Sequence, residues 1–230
     1  QKLLLNDMRL ASPVTGQVNW NRVPIHKIRT IEVQERSFLH QTAVQLREHY
    51  TVQPMTFLNF DEGTGDYRNL EFSFAHNFTP QTHLELSFWD RRDGDLLPRN
   101  GMEGRQIVAK GRHHLDERYT LKVGYINNGL DQEQSFGYNI PDPALYHFNP
   151  YGAQALETNA ESNTTTNDLY VHIQQRIEED APISRALGIN YQTEAWNLSY
   201  SQDTTAWSLR DVRAFFWQEW QIGDSRVRGR

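Results

Sequence analysis

The clearest pattern in the chain lies between Arg68 and Trp89. Leu70, Phe72, Phe74 and, past His76, Phe78 fall on every second position. After Thr79-Pro80-Gln81-Thr82 the beat resumes with Leu84, Leu86 and Phe88. The intervening positions are polar: Asn69, Glu71, Ser73 and Asn77, then His83, Glu85 and Ser87. A period of two on both sides of a four-residue break predicts two antiparallel strands joined by a tight hairpin, not a helix. Each strand runs for about ten residues. Soluble strands are usually about 5–6 residues long, whereas a tilted strand crossing a bilayer needs roughly 9–11.

The same unit recurs downstream. Gln106–His113 is a weaker strand. Tyr119, Leu121, Val123 and Tyr125 mark a clear one, Gln134–Ile140 predicts another, and Leu169, Val171, Ile173 and Ile177 follow. Ile183, Leu187, Ile189 and Tyr191 continue the beat; Gln192–Ala195 reads as a turn before Trp196, Leu198 and Tyr200. Val212, Ala214, Phe216, Trp220 and Ile222 form the last full strand, with Phe215 and Trp217 on its other face. Breaks at 79–82, 115–118 and 178–182 are short, while 90–104 and 141–167 read as long polar loops. Short turns at one end and long loops at the other are the habit of transmembrane barrels. The expected fold is therefore mainly β: an antiparallel transmembrane-type β-barrel, partial, of about eight to ten long strands. Leu70, Phe72, Phe74, Leu84, Leu86, Phe88, Leu121, Val123, Leu198 and Tyr200 are expected to face lipid. Glu71, Ser73, Glu85, Ser87, Lys122 and Asn197 are expected to face the lumen. Tyr67, Phe78, Trp89, Tyr119, Trp196, Trp207 and Trp220 lie near strand ends, where amphipathic rings form interfacial girdles. The rival architecture is a soluble β-sandwich, which would seal the apolar set beneath a second sheet.

Composition changes this picture little. The 230 residues carry 29 acidic and 23 basic side chains, net −6, in scattered order. Nothing here points to a nucleic-acid partner. There is no cysteine, hence no disulfide framework and no thiolate metal site. Only 37% of residues are hydrophobic but 12% are aromatic. No apolar run is long enough for a transmembrane helix, which leaves an alternating barrel open.

No catalytic constellation is legible, so no enzyme activity, cofactor or metal site is expected. His113 and His114 are adjacent and would point to opposite faces of a strand, whereas a metal needs convergent ligands. Asp90, Asp93 and Asp95 beside Gly94 miss the spacing of a calcium loop. Glu178, Glu179 and Asp180 read as a solvated turn. Phosphate-binding glycine loops, nucleophile elbows and zincin motifs are all missing from the sequence.

The first 35 residues differ: a short apolar run, a Ser-Pro/Thr-Gly loop, one helical turn near Pro24 and a short strand at Arg29–Val33, together a small α/β piece. Leu3–Val33 resembles the end of the plug domain of TonB-dependent receptors, through Asn6, Asp7, Thr15, Gly16, Val18, Val23, Pro24, Ile25, Ile28, Ile31, Glu32 and Val33. Gln34–Gln45 lacks the glycines that follow this stretch in the family. The resemblance implies a division into a plug-like segment, residues 1–35, and a barrel portion, residues 36–230. It also implies that the chain is a fragment, since a plugged transporter has about 22 strands. The function so implied is an outer-membrane receptor or transporter taking up a bulky nutrient. Its partners would be outer-membrane lipid, an unknown nutrient and a periplasmic energy-coupling protein of the TonB type. A soluble β-sandwich binding carbohydrate and a porin-like barrel without energised transport are the competing readings; substrate-binding residues are not legible. In the receptor reading, Leu3–Leu5 and Thr30–Val33 share one small sheet lying against the polar face of the large one.

Overall fold

The computed structural model describes residues 2–5, 8–9, 23, 27–36, 39–46, 53–94, 97–141, 144, 152–176, 183–222 and 225–229. Two sheets carry the architecture, with a two-residue pairing between β10 (Tyr138–Asn139) and β11 (Gln154–Ala155) beside them. The small sheet contains β1 (Lys2–Leu5), β2 (Met8–Arg9), β3 (Ile28–Arg36) and β4 (Leu39–Leu46), in the order β2-β1-β4-β3. β1 pairs parallel with β4, and β3 pairs antiparallel with it. Leu3–Leu5 and Thr30–Val33 thus sit in one sheet, with β4 between them. No α-helix occurs among the described residues, and the helical turn expected at Pro24 lies outside them.

The large sheet has nine strands among the described residues: β5 (Met55–Glu62), β6 (Arg68–Thr79), β7 (Thr82–Asp93), β8 (Met102–His114), β9 (Tyr119–Glu133), β12 (Glu161–Arg176), β13 (Ile183–Tyr200), β14 (Asp203–Ile222) and β15 (Ser225–Gly229). All neighbours are antiparallel. The central strands grow from 12 residues in β6 to 20 in β14. They are far longer than soluble strands and long enough to cross a bilayer with residues to spare.

Local chemistry builds the short end. Thr79 Oγ1 accepts hydrogen bonds from the amides of Gln81 and Thr82 at 3.2 and 3.0 Å, closing the β6–β7 hairpin around Pro80. Asp116 Oδ1 does the same for Arg118 and Tyr119, between β8 and β9. At the opposite end the β7–β8 and β9–β12 connections are long.

The two faces of the sheet have opposite chemistry. Phe72, Val123, Leu169, Val171, Ile173, Leu187, Ile189, Val212 and Phe216 are exposed on one face, with no second sheet over them among the described residues. Asn69, Glu71, Ser73, Glu85, Ser87, Gln106, Lys110, Asn128, Thr166, His172 and Gln192 are buried on the other. A sandwich would bury the apolar set; a barrel wall presents it to lipid and keeps the polar set within.

Four expectations need correction. β13 runs unbroken from Ile183 to Tyr200, so Gln192–Ala195 is strand, and the turn falls at Ser201-Gln202. These polar residues pair with Asp168–Thr165 of β12 in the middle of the wall. With the register continuous, Leu198 and Tyr200 share the parity of Asn190 and face inward, while Asn197 faces outward. Trp89, Trp196 and Trp207 likewise lie on the inner parity and are not girdle residues. Lastly, β12 begins at Glu161, within the stretch read as loop. Its first residues, Glu-Ser-Asn-Thr-Thr-Thr, lie beyond the apolar band, where no hydrophobic beat is needed to hold a strand in the ladder.

Candidate functional site

The inner face is the only surface that combines burial with dense polar chemistry among the described residues. Antiparallel pairing in register lines side chains of one parity into rows across the wall. One row reads Arg213, Asn190, Tyr170, Gly124, Lys110, Glu85 and Ala75. Glu85 sits at its centre of charge. Its Oε2 accepts from Lys110 Nζ at 2.9 Å, and its Oε1 accepts from Lys27 Nζ at 3.1 Å. Glu85 is 2% exposed and Lys27 5%. Lys27 belongs to the N-terminal unit and Glu85 to the wall, so the contact is a buried ionic joint between the two. Burial pushes the Lys27 ammonium below its usual pKa, against the opposing pull of the Glu85 carboxylate.

An apolar patch completes the joint. Val23, Val44 and Leu46 form one buried cluster with Val108, Ile126 and Tyr170, and Ile28 packs against it. Val44 and Leu46 come from alternate positions of β4, so one face of that strand meets the wall.

Towards the short-turn end, aromatic rings fill the space left by glycines. The Tyr170 ring lies where a Cβ on Gly124, its cross-strand partner, would stand. His172 and Phe215 do the same over Gly188. His172 sits between Tyr170 and Phe215, with centroids 4.8 and 4.9 Å away, tilted against the first ring and edge to face with the second, and its Nε2 meets Asn190 Oδ1 at 2.7 Å. Such aromatic cover of strand glycines pins register.

Towards the long-loop end, the next rows carry a ladder of amides. Gln106 Nε2 donates to Asn128 Oδ1 at 2.6 Å, and Asn128 Nδ2 donates to Thr166 Oγ1 at 3.2 Å. Trp89 Nε1 donates to Asn69 Oδ1 at 2.7 Å. Beyond it the wall turns aromatic: Trp196 faces Trp207, and Tyr200 meets Phe136. At the same rim, a 590 Å³ cleft is lined by Asp66, Arg92, Glu103, Asp131, Glu161 and Asn197, among others. Arg92 bridges Asp66 at 3.0 Å and Glu103 at 3.4 Å there.

The residues weighed for metal chemistry do not converge. His113 Nδ1 meets Thr82 Oγ1 on the outer face, and His114 Nδ1 meets Thr120 Oγ1 on the inner one. Asp90 pairs with Arg68 and Arg105 on one face of β7, and Asp93 pairs with Arg91 on the other; Asp95 lies outside the described residues. No grouping of three or more His, Cys, Asp or Glu able to hold a metal occurs among the described residues. The Lys27–Glu85 joint escaped sequence reasoning. The alternation places Glu85 on the polar face, yet nothing in the sequence brings a lysine 58 residues away onto it.

Comparison with known proteins agrees with this geometry at the level of fold. No family model matches the chain. No curated protein matches it in sequence either. Among solved structures, the chain is similar in fold to an import receptor. The ferric-catecholate import receptor Fiu from E. coli K12, in its open form, superposes with a TM-score of 0.62 at 10% identity, over 97% of this chain and 40% of that one. Its closed form gives 0.61 at 9% identity, over 96% and 37%. The chain spans about two fifths of the length of these receptors.

Proposed function

We propose that this chain is part of an outer-membrane receptor of the TonB-dependent type that takes up a bulky nutrient. In this reading the strands from β5 onward are barrel wall. Residues 1–35, with the β4 strand paired to them, are the end of a plug. A periplasmic energy-coupling protein of the TonB type would drive release of the nutrient inward. The observation that carries the reading is the seating of the small sheet: an ionic joint at Glu85 and an apolar patch at Val108 and Ile126 hold it on the polar side of the wall, opposite the lipid-type face. A lumen-filling segment must lie on that side, because the lumen is lined by the polar positions.

The test is fractionation followed by uptake. The full-length protein should sediment with outer membranes and show heat-modifiable electrophoretic mobility. Cells expressing it should accumulate the nutrient only while the inner membrane is energised. Recovery in the aqueous fraction as a monodisperse monomer overturns the membrane reading. Accumulation that persists when the proton gradient is dissipated points instead to a passive, porin-like barrel.

A further inference from the structure

The lipid-type face departs from its own rule at one place near the short-turn end. Two neighbouring rows of outer positions cross the wall there in continuous register. From β9 to β14 both rows are apolar: Val123, Val171, Ile189 and Ala214 in one, Leu121, Ile173, Leu187 and Phe216 in the other. On β6, β7 and β8 the same rows carry His76, Thr82 and His113 and, in place of a side chain, Gly111. Gly111 leaves a gap between Leu84 and Val123, its two cross-strand partners. The gap belongs to an apolar groove of about 310 Å³, walled by Phe78, Leu84, Leu121 and Val123. Thr82 and His113 stand at its short-turn end, Thr82 as the first residue of β7 and His113 as the last but one of β8.

Polar groups on a face turned to lipid are costly unless a partner satisfies them. Thr82 Oγ1 and His113 Nδ1 meet at 2.8 Å. With the hydroxyl as donor, a neutral imidazole keeps its proton on Nε2, which donates away from Thr82. His76 lies edge to face with Phe78 and tilted against Phe74, with centroids 4.7 and 6.3 Å away. Its Nδ1 is buried without a hydrogen-bond partner among the described residues, so Nε2 is the atom through which this ring can meet one. His76 borders the groove through Leu84, its cross-strand partner, and through Phe78. It stands three residues before the end of β6. Both imidazoles are therefore within about 10 Å of the sheet's short-turn edge, where hydrocarbon gives way to headgroups. The acceptors found in that zone are phosphodiester and ester oxygens, and they come attached to acyl chains. These two rows carry no lysine or arginine among the paired positions. Recognition here is by hydrogen bond and shape, not by the net charge of a headgroup.

We propose that this groove binds one glycerophospholipid, with an acyl chain over Gly111 between Leu84, Leu121 and Val123, and the phosphodiester accepting from His76 and His113. The site rests on the membrane-barrel part of the receptor reading and turns its general lipid partner into a specific one. The test strips the full-length protein of lipid in detergent. It is then titrated with dioleoylphosphatidylethanolamine, dioleoylphosphatidylglycerol and dioleoylglycerol, and bound molecules are counted by native mass spectrometry. One molecule of either phospholipid should bind saturably, and dioleoylglycerol about tenfold more weakly. The double variant His76→Leu, His113→Leu should lose that preference for the phosphodiester. Leu121→Trp, which fills the groove from a lipid-facing position, should weaken both phospholipids about tenfold or more. Heat-modifiable mobility should be unchanged in both variants. Equal binding of dioleoylglycerol, or unsaturable binding that both variants leave alone, overturns the site and leaves the receptor reading standing. So does a dimer that resists lipid but is broken by Leu121→Trp, since the groove is then an interface between copies. Absence of the protein from outer membranes removes both.

Discussion

Glu85 illustrates how one side chain couples two parts of the chain. Two lysines from different elements converge on its carboxylate, and all three groups are nearly removed from solvent. Replacing a buried pair with apolar groups is often tolerated, but deleting one member strands the others, at a cost of about 3–5 kcal/mol. Glu85→Gln should therefore destabilise the protein by that order, measured as a shift of the urea midpoint in lipid vesicles. Lys27→Met should cost much less, because Lys110 still neutralises Glu85. A second residue-level prediction concerns Gly124. Any Cβ there collides with the Tyr170 ring, so Gly124→Ala should cost about 1–3 kcal/mol. Adding Tyr170→Ala should make the alanine at 124 nearly neutral, and a double-mutant cycle measures that coupling. Additive effects of the two substitutions would refute the contact.

Along β13 the consequences of parity can be followed from end to end. Ile189, 55% exposed, faces outward in mid-strand, and Asn197 faces outward near the rim. Charge on a lipid-facing position costs about 2–4 kcal/mol at the midplane and about 0–1 near the interface. Ile189→Arg should therefore destabilise the folded protein strongly, and Asn197→Arg hardly at all, in the same vesicle unfolding assay. Equal costs would mean that the outer face does not meet lipid. The same strand shows where reading by alternation stops. A polar stretch such as Gln192–Ala195 looks like a break when apolar residues alone keep the beat. In the sheet it is an ordinary run, because both of its neighbours supply ladder partners and the inner face requires polar groups.

Among the described residues the molecule is a nine-stranded antiparallel sheet with a small mixed sheet on its polar side. Its exposed apolar face includes Leu187, Ile189, Val212 and Phe216, at 54%, 55%, 67% and 55% exposure. Such a continuous band exceeds what a soluble monomer usually shows to water. The protein should remain monodisperse only in detergent or lipid and should aggregate when detergent is withdrawn, as light scattering would record. The joint at Glu85 and the patch around Val44 and Leu46 make the small sheet part of the wall's stability. Val44→Asp, which puts an unpaired charge into that patch, should lower the urea midpoint and open sites near Leu39–Leu46 to proteolysis, with the long strands left intact.

The long antiparallel strands, their approximate number, the short turns at 79–82 and 115–118 and most of the lipid-type face were legible in the sequence. They follow from local rules: side chains alternate along a strand, and a barrel that spans a membrane must satisfy its backbone by closed pairing while presenting apolar groups outward. The continuity of β13, the early start of β12 and the inward aim of Leu198 and Tyr200 were not, because strand parity is carried by ladder partners far apart in sequence. The meeting of Lys27 with Glu85, of Val44 with Val108 and of Trp196 with Trp207 was decided only by the tertiary structure. Each joins residues on separate strands whose approach depends on how two sheets seat or two registers align, and no short stretch of sequence encodes that distance.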